Sequence, residues 1–142
     1  MELLKFRTFL LLCSLILIAS PSPASGDLGA TSYYGPPYFH TACYGDDISQ
    51  FPPNMLFAAA GEEIWINGMA CGRIYWVKCI SSNFPNTACA QGQMIEVVIV
   101  DRAQTSVSRP AWSGTTMVLS VPAFTAIAGT PVPWVEIEYK QK

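Results

Sequence analysis

The chain has 142 residues, 51% of them hydrophobic and 13% charged, with a formal net charge of −2. That size suits one domain, and the acidic balance excludes the basic stripe that a nucleic-acid partner would need. The first element is an N-terminal targeting pattern. Lys5 and Arg7 form a positive region, Phe9 to Ala19 an apolar run interrupted by Ser14, and Ser20 to Gly26 a small, helix-breaking stretch. This is the layout of a secretory signal peptide. Ala24 and Gly26 suit its cleavage site, with a slightly earlier cut as the alternative. The expected division is a signal peptide over residues 1–26 and one secreted domain over 27–142. The apolar run falls short of the roughly 20 residues of a membrane span, and no later run is longer, so no span is expected. Without residues 1–26 the chain keeps six basic and nine acidic residues, a net charge of −3.

Cys13 leaves with the signal peptide, and Cys43, Cys71, Cys79 and Cys89 remain. An even count in an oxidising compartment predicts two disulfides. Four cysteines allow three pairings, and their spacing does not choose among them. Zinc is the rival reading, but no C-x-x-C pair occurs and His40 is the single histidine. No metal or other cofactor is expected.

Leu28 to Tyr34 reads as a first strand, stopped by Gly35-Pro36-Pro37. An aromatic-rich loop runs from Tyr38 to Gly45, and Asp46 to Pro53 reads as polar surface loop. Asn54 to Ala60 is a short apolar run. Glu62 to Ile66 then leads into Asn67-Gly68, and two readings stay open. A short helix would place its acids at the N-terminus and Asn-Gly at its C-cap. A hairpin would use Asn-Gly as its turn. From Arg73 to Lys78 the residues are branched, aromatic and long, as in a strand. Arg73, Tyr75 and Val77 share one face, and Ile74, Trp76 and Lys78 the other. Cys71 precedes this strand and Cys79 closes it, so two other segments can be stapled to it.

Ser81 to Ala88 is a turn-rich loop ending at Cys89. Met94 to Val100 is a nearly continuous apolar run, the pattern of a strand buried on both faces. It ends at Asp101, and Arg102 to Gly114 is a long polar connection. Ser120 suits an N-cap, Val121 to Ala128 a short helix, and Gly129 its stop. Trp134 to Tyr139 alternates Val135, Ile137 and Tyr139 against Glu136 and Glu138, a half-buried final strand. The sum is a small all-β domain, a barrel or a sandwich, with one or two short helices.

Six short motifs now stand in register. They are Tyr33-Tyr34-Gly35-Pro36-Pro37-Tyr38, Ala42-Cys43-Tyr44-Gly45, Asn67-Gly68-Met69-Ala70-Cys71-Gly72-Arg73, Cys79-Ile80, Val98-Ile99-Val100-Asp101 and Leu119 to Ala128. In this order they resemble the expansin-like EG45 domains, and most of all the plant natriuretic peptides, also called EG45-like domain-containing proteins. The resemblance implies a six-stranded double-psi β-barrel. It also implies the pairing Cys43–Cys71 with Cys79–Cys89, and the helical reading of Glu62 to Ile66. The second, carbohydrate-binding domain of full expansins is expected to be absent.

Lytic relatives of this barrel work with two carboxylates across a polysaccharide groove, one protonating the leaving oxygen and one activating water. By resemblance Asp101 holds one acidic groove position. The second falls on Val118, which cannot move a proton, so no catalytic residue is expected and the chain is read as non-enzymatic. Asp101 has a structural reading too, as a cap on the turn after its strand. Ser32 matches a groove hydroxyl, although a strand serine is more often solvated. Tyr33, Tyr34, Tyr38 and Trp112 are candidates for an aromatic shelf under sugar rings, with packing as the competing role. The candidate groove set is thus Ser32, Tyr34, Asp101 and Trp112. His40 has no evident partner and reads as surface. Arg73 stands where expansins carry a further cysteine, and the loop after Asp101 lacks the cysteine pair of many relatives.

The resemblance implies a secreted, monomeric apoplastic protein with a systemic role in water and solute homeostasis. It would act through a cell-surface protein partner on the segment Pro36 to Tyr75. The alternative is a non-catalytic binder of cell-wall polysaccharide, or a wall loosener, working through the groove.

Overall fold

The computed structural model describes residues 26–81, 89–90, 93–105, 107–109, 114–128 and 132–142. The signal-peptide pattern up to Ser25, the loop after Ser81, Trp112 and Gly129 lie outside them. The described chain forms strand β1 (Asp27–Tyr34), a 3₁₀ turn (Ile48–Gln50), β2 (Phe57–Ala60) and helix α1 (Glu62–Trp65). There follow a second 3₁₀ turn (Ile66–Gly68), β3 (Ile74–Ser81), β4 (Met94–Arg102), β5 (Met117–Ser120), helix α2 (Val121–Ile127) and β6 (Val135–Gln141). The strands close into a double-psi barrel in the order β1-β5-β2-β4-β3-β6. β1 with β5 and β2 with β4 run parallel, and the other four pairs are antiparallel. Closure leaves no sheet edge open to a stray strand.

The apolar barrel interior is filled by one side of five strands. Ala58 and Ala60, Val77, Val97 and Ile99, Met117 and Leu119, and Val135, Ile137 and Tyr139 meet there, with Ile64 and Phe124 from the helices. A second cluster lies on the outside of the barrel. Tyr34, Tyr38, Phe57, Ala59, Val100 and Val118 form it, with Tyr44 and Phe51 packed against it. The loop after β1 therefore folds back over the outer face of β1, β5, β2 and β4. This explains why β2 and β5, at four residues each, are buried throughout. Barrel closure covers one face and the aromatic loop covers the other.

Glu62 to Trp65 is helical, which excludes the hairpin. The chain leaves this helix through two successive left-handed residues, Ile66 (φ 45°) and Asn67 (φ 53°), before Gly68. β3 does not stop at Cys79 but runs two residues further. β4 is not buried on both faces throughout. Its first half alternates, with Met94 and Glu96 exposed between buried Ile95 and Val97, and only Ile99 to Asp101 are covered from both sides. The apolar run misled because Met94 and Val98 are hydrophobic residues left partly in water. Ser120 caps α2 as its position predicts, accepting from the Ala123 N–H at 3.3 Å while donating to the Met55 carbonyl at 2.7 Å. The helix closes with the Ala128 N–H on the Phe124 carbonyl, short of Gly129.

Cys43 is bonded to Cys71 and Cys79 to Cys89, across 28 and 10 residues of sequence. On the chain-entropy model loops of these lengths are worth roughly 3–4 and about 3 kcal/mol. The first staple ties the aromatic loop down beside the start of β3, where Tyr44 also rests against Gly72.

Gly61 joins β2 to α1 and donates its N–H to the Thr116 carbonyl at 2.9 Å. A Cβ there would meet the backbone oxygens of Thr115 and Thr116 at 2.5 Å. Because backbone cannot swing aside as a side chain can, Gly61→Ala is expected to cost about 1–3 kcal/mol, read as a lower urea midpoint at unchanged slope.

Candidate functional site

Of the positions that the groove reading names, Ser32, Val118 and Asp101 are brought together by sheet register. Ser32 pairs with Val118, Val118 with Ala59, and Ala59 with Asp101. This makes one row across four strands, β1-β5-β2-β4. Asp101 reaches the row through a β-bulge. The β2–β4 register passes from Ala58 opposite Ile99 to Ala59 opposite Asp101, skipping Val100. The extra residue re-aims the strand end, so Val100 and Asp101 both serve the outer face. Val118 and Asp101 are two strands apart, about 10 Å between backbones at ordinary sheet spacing.

The row is sealed. Ser32 is 1% exposed, and Val118, Ala59 and Asp101 are all 0% exposed. Tyr34, Tyr38 and Phe57 interlock edge to face in the cluster that includes Val118 and Ala59, with ring centroids 5.2 Å and 4.8 Å apart in the two successive pairs. Phe51 adds a tilted ring 4.7 Å from Phe57.

Asp101 is held by hydrogen bonds from three directions. Its Oδ1 accepts the N–H groups of Ala42 at 2.7 Å and Arg102 at 2.8 Å, and its Oδ2 accepts the Thr105 hydroxyl at 2.9 Å. Thr105 and Ser108 bond each other, and the Ser108 hydroxyl reaches back to the Arg102 carbonyl. Burial pushes the Asp101 carboxyl above the usual carboxylate range, against the opposing pull of these bonds. The Arg102 guanidinium turns away to Glu62 at 2.8 Å and lies over the Trp65 ring, so it does not neutralise Asp101. The Tyr34 hydroxyl is buried without a hydrogen-bond partner among the described residues. Its own burial, and then the charge of Asp101, push its pKa far up, so it stays a neutral phenol.

A family model described as lytic transglycolase matches residues 58–139. An EG45-like domain containing protein of Citrus jambhiri is 33% identical over 130 residues, covering 90% of this chain and 89% of that protein. EG45-like domain containing protein 2 of Arabidopsis thaliana is 36% identical over 73 residues, 51% of this chain and 52% of the relative. The chain belongs to the EG45-like domain family. Among solved structures, the apo expansin of Clavibacter michiganensis superposes with a TM-score of 0.55 over 84% of this chain and 50% of its own. A point mutant of that expansin in complex with cellohexaose superposes equally well. At 16% identity these two speak for the fold alone. This chain spans about half the length of the Arabidopsis relative and of the expansin.

In this EG45-like domain the three described tyrosines named for an aromatic shelf do not line up on one surface. Tyr34 and Tyr38 are core residues, while Tyr33 points the other way and packs on Phe124 at 4.7 Å. Ser32 is not solvated. His40, expected to be without a partner, meets the carboxylate of Asp46, and both side chains are exposed. Asp101 caps the turn after its strand and is 0% exposed, so its carboxyl does not face a groove. Thr105 and Ser108 were not singled out in the sequence. The signal was present in Asp101-x-x-x-Thr105-x-x-Ser108, side chains that bond nearby backbone in turns. Among the described residues no second carboxylate shares the row, and no group of three or more His, Cys, Asp or Glu could hold a metal.

Asp101→Ala strands the N–H donors of Ala42 and Arg102, at about 1–3 kcal/mol for each group left unpaired, while the Thr105 hydroxyl keeps Ser108. A folded pKa above the unfolded one means the native state holds its proton longer. Asp101 therefore makes stability fall as pH rises from the ordinary aspartate pKa through its own raised value. Asp101→Asn keeps acceptors for the N–H groups and is expected to remove that slope with little loss at neutral pH. Urea unfolding of both variants at a series of acidic pH values checks this.

Proposed function

We propose that the chain is a secreted, non-enzymatic protein of the plant natriuretic peptide type. Residues 1–26 direct it out of the cell, and residues 27–142 work as a monomer in the apoplast. There it serves water and solute homeostasis through a cell-surface protein partner. The observation that carries this reading is the sealed row. Asp101 is fully buried and its counterpart is Val118 beneath aromatic rings, so neither general acid nor base reaches a sugar chain. Activity must then lie on the surface, and the segment Pro36 to Tyr75 is the suitable part of it. Phe39, Ile48, Met55, Ile66 and Met69 are exposed there, five of the eleven large exposed hydrophobics among the described residues. Exposed apolar groups held in place by a disulfide are ready for a protein partner at small ordering cost.

A second reading has its own support, since an expansin of the same fold was solved with cellohexaose. On that reading the chain holds cell-wall polysaccharide, without cleaving it.

The oxidised protein is expected to release no reducing sugar from cellulose or xyloglucan. It is expected to change the osmotic volume of plant protoplasts, and Ile48→Ser with Met69→Ser to reduce that response about tenfold while the fold stands. Sugar release that disappears in Asp101→Ala would overturn the non-enzymatic reading.

A further inference from the structure

The barrel has two unlike sides. In the order β1-β5-β2-β4-β3-β6, β5 and β2 lie diametrically opposite β3 and β6. The first pair is buried under the aromatic loop, whereas the second presents its outer face to water. On β3 the alternation turns Tyr75 and Val77 inward and Trp76 outward, with Trp76 40% exposed. An indole is costly to leave in water when a lysine or threonine would serve the strand as well.

The surroundings of Trp76 are specific. Glu96 of β4 and Lys140 of β6 stand directly beside it in register. One row further lie Met94, Lys78 and Glu138, then Leu28 on β1, and Met94 and Leu28 are 52% and 72% exposed. The charges cancel. Lys78 faces Glu138 at 3.9 Å and Lys142 bonds Glu96 at 3.0 Å. With Lys140 and Glu136 the face carries three of each sign, on a domain whose net charge is −3. Beside Lys78 and Met94 the surface dips into a depression of about 450 Å³, also bordered by Ile80 and Gln93. That volume is in the range of small-molecule sites.

We infer that this face is a binding surface for a neutral polysaccharide, with one pyranose ring stacked on Trp76 and its neighbour seated against Lys78, Gln93 and Met94. A pyranose has a flat C–H face and a rim of hydroxyls. The indole matches the first, and Gln93, Lys78 and Glu96 offer donors and acceptors to the second. A face with no net charge gives no field to attract an ionic polymer. A protein hot spot would instead sink its aromatic among apolar neighbours, while Trp76 is flanked by charges. The inference rests on the polysaccharide reading above but moves the contact from the groove to the opposite side. The segment 36–75 is thereby left free for a protein partner.

The test is retention of the oxidised protein on insoluble neutral wall polysaccharides, and titration with cellohexaose, at low and high salt. The expected result is salt-resistant binding that Trp76→Ala weakens about tenfold, Trp76→Tyr largely keeps and Gln93→Ala reduces. Trp76→Tyr keeps most of the packing of this 40% exposed side chain, so its thermal midpoint should hardly move. Wild-type binding that Trp76→Ala leaves unchanged overturns this surface alone. Binding abolished by salt overturns the neutral-ligand argument. A wild-type protein that binds no glycan overturns the polysaccharide reading itself.

Discussion

Asp101 carries a carboxyl group into a buried place, with no cation beside it among the described residues. Such a group is tolerable only when its oxygens are hydrogen-bonded. The segments around it are arranged to do that. Ala42 comes from the aromatic loop on one side, and Thr105 from the polar connection on the other. The bond to Ala42 spans 59 residues and lies next to Cys43, so the disulfide to Cys71 and the bond to Asp101 hold the same short stretch. Loop, bulge and barrel are thus fastened at one carboxylate. Its raised pKa measures the tension between burial and those bonds.

Fastening the loop there has a functional consequence. The row Ser32–Val118–Ala59–Asp101 runs across the sheet where a groove could lie, yet Tyr34, Tyr38 and Phe57 fill the space above it. Valine at position 118 is part of that filling. A carboxylate in its place would be buried among aromatic rings without partners, a large cost. A valine at this position and a second apolar core on this face are thus consistent with each other. On the readings proposed above, binding is left to surfaces outside the row: the stapled segment 36–75 on one side and the β3–β6 face on the other.

Much of the fold was legible because local pattern and tertiary role agree. The alternation of Val135, Ile137 and Tyr139 needs nothing but a barrel interior to face. Ser120 caps α2 through its own side chain and nearest turn. Helix α1 was ambiguous because four residues carry too little periodicity to separate a turn of helix from a strand end. The candidate site was half legible. The spacing Val98-Ile99-Val100-Asp101 placed an acid at a strand end, but the bulge that turns it outward depends on how β2 pairs with β4. Alternation also set Tyr33 and Tyr34 on opposite faces, without saying which one the loop would cover.

By itself, the sequence determined the domain's class, its oxidised state, its strand-rich pattern and the absence of a proton donor at position 118. These follow from residue chemistry and from periods of two and 3.6 residues, which are local properties. Only the tertiary structure decided that Asp101, Ser32 and Val118 share one row, that the row is closed to solvent, and that Trp76 is partly exposed on the far side. Those facts depend on strand order and register, set by contacts between residues dozens of positions apart, and no local pattern carries that information.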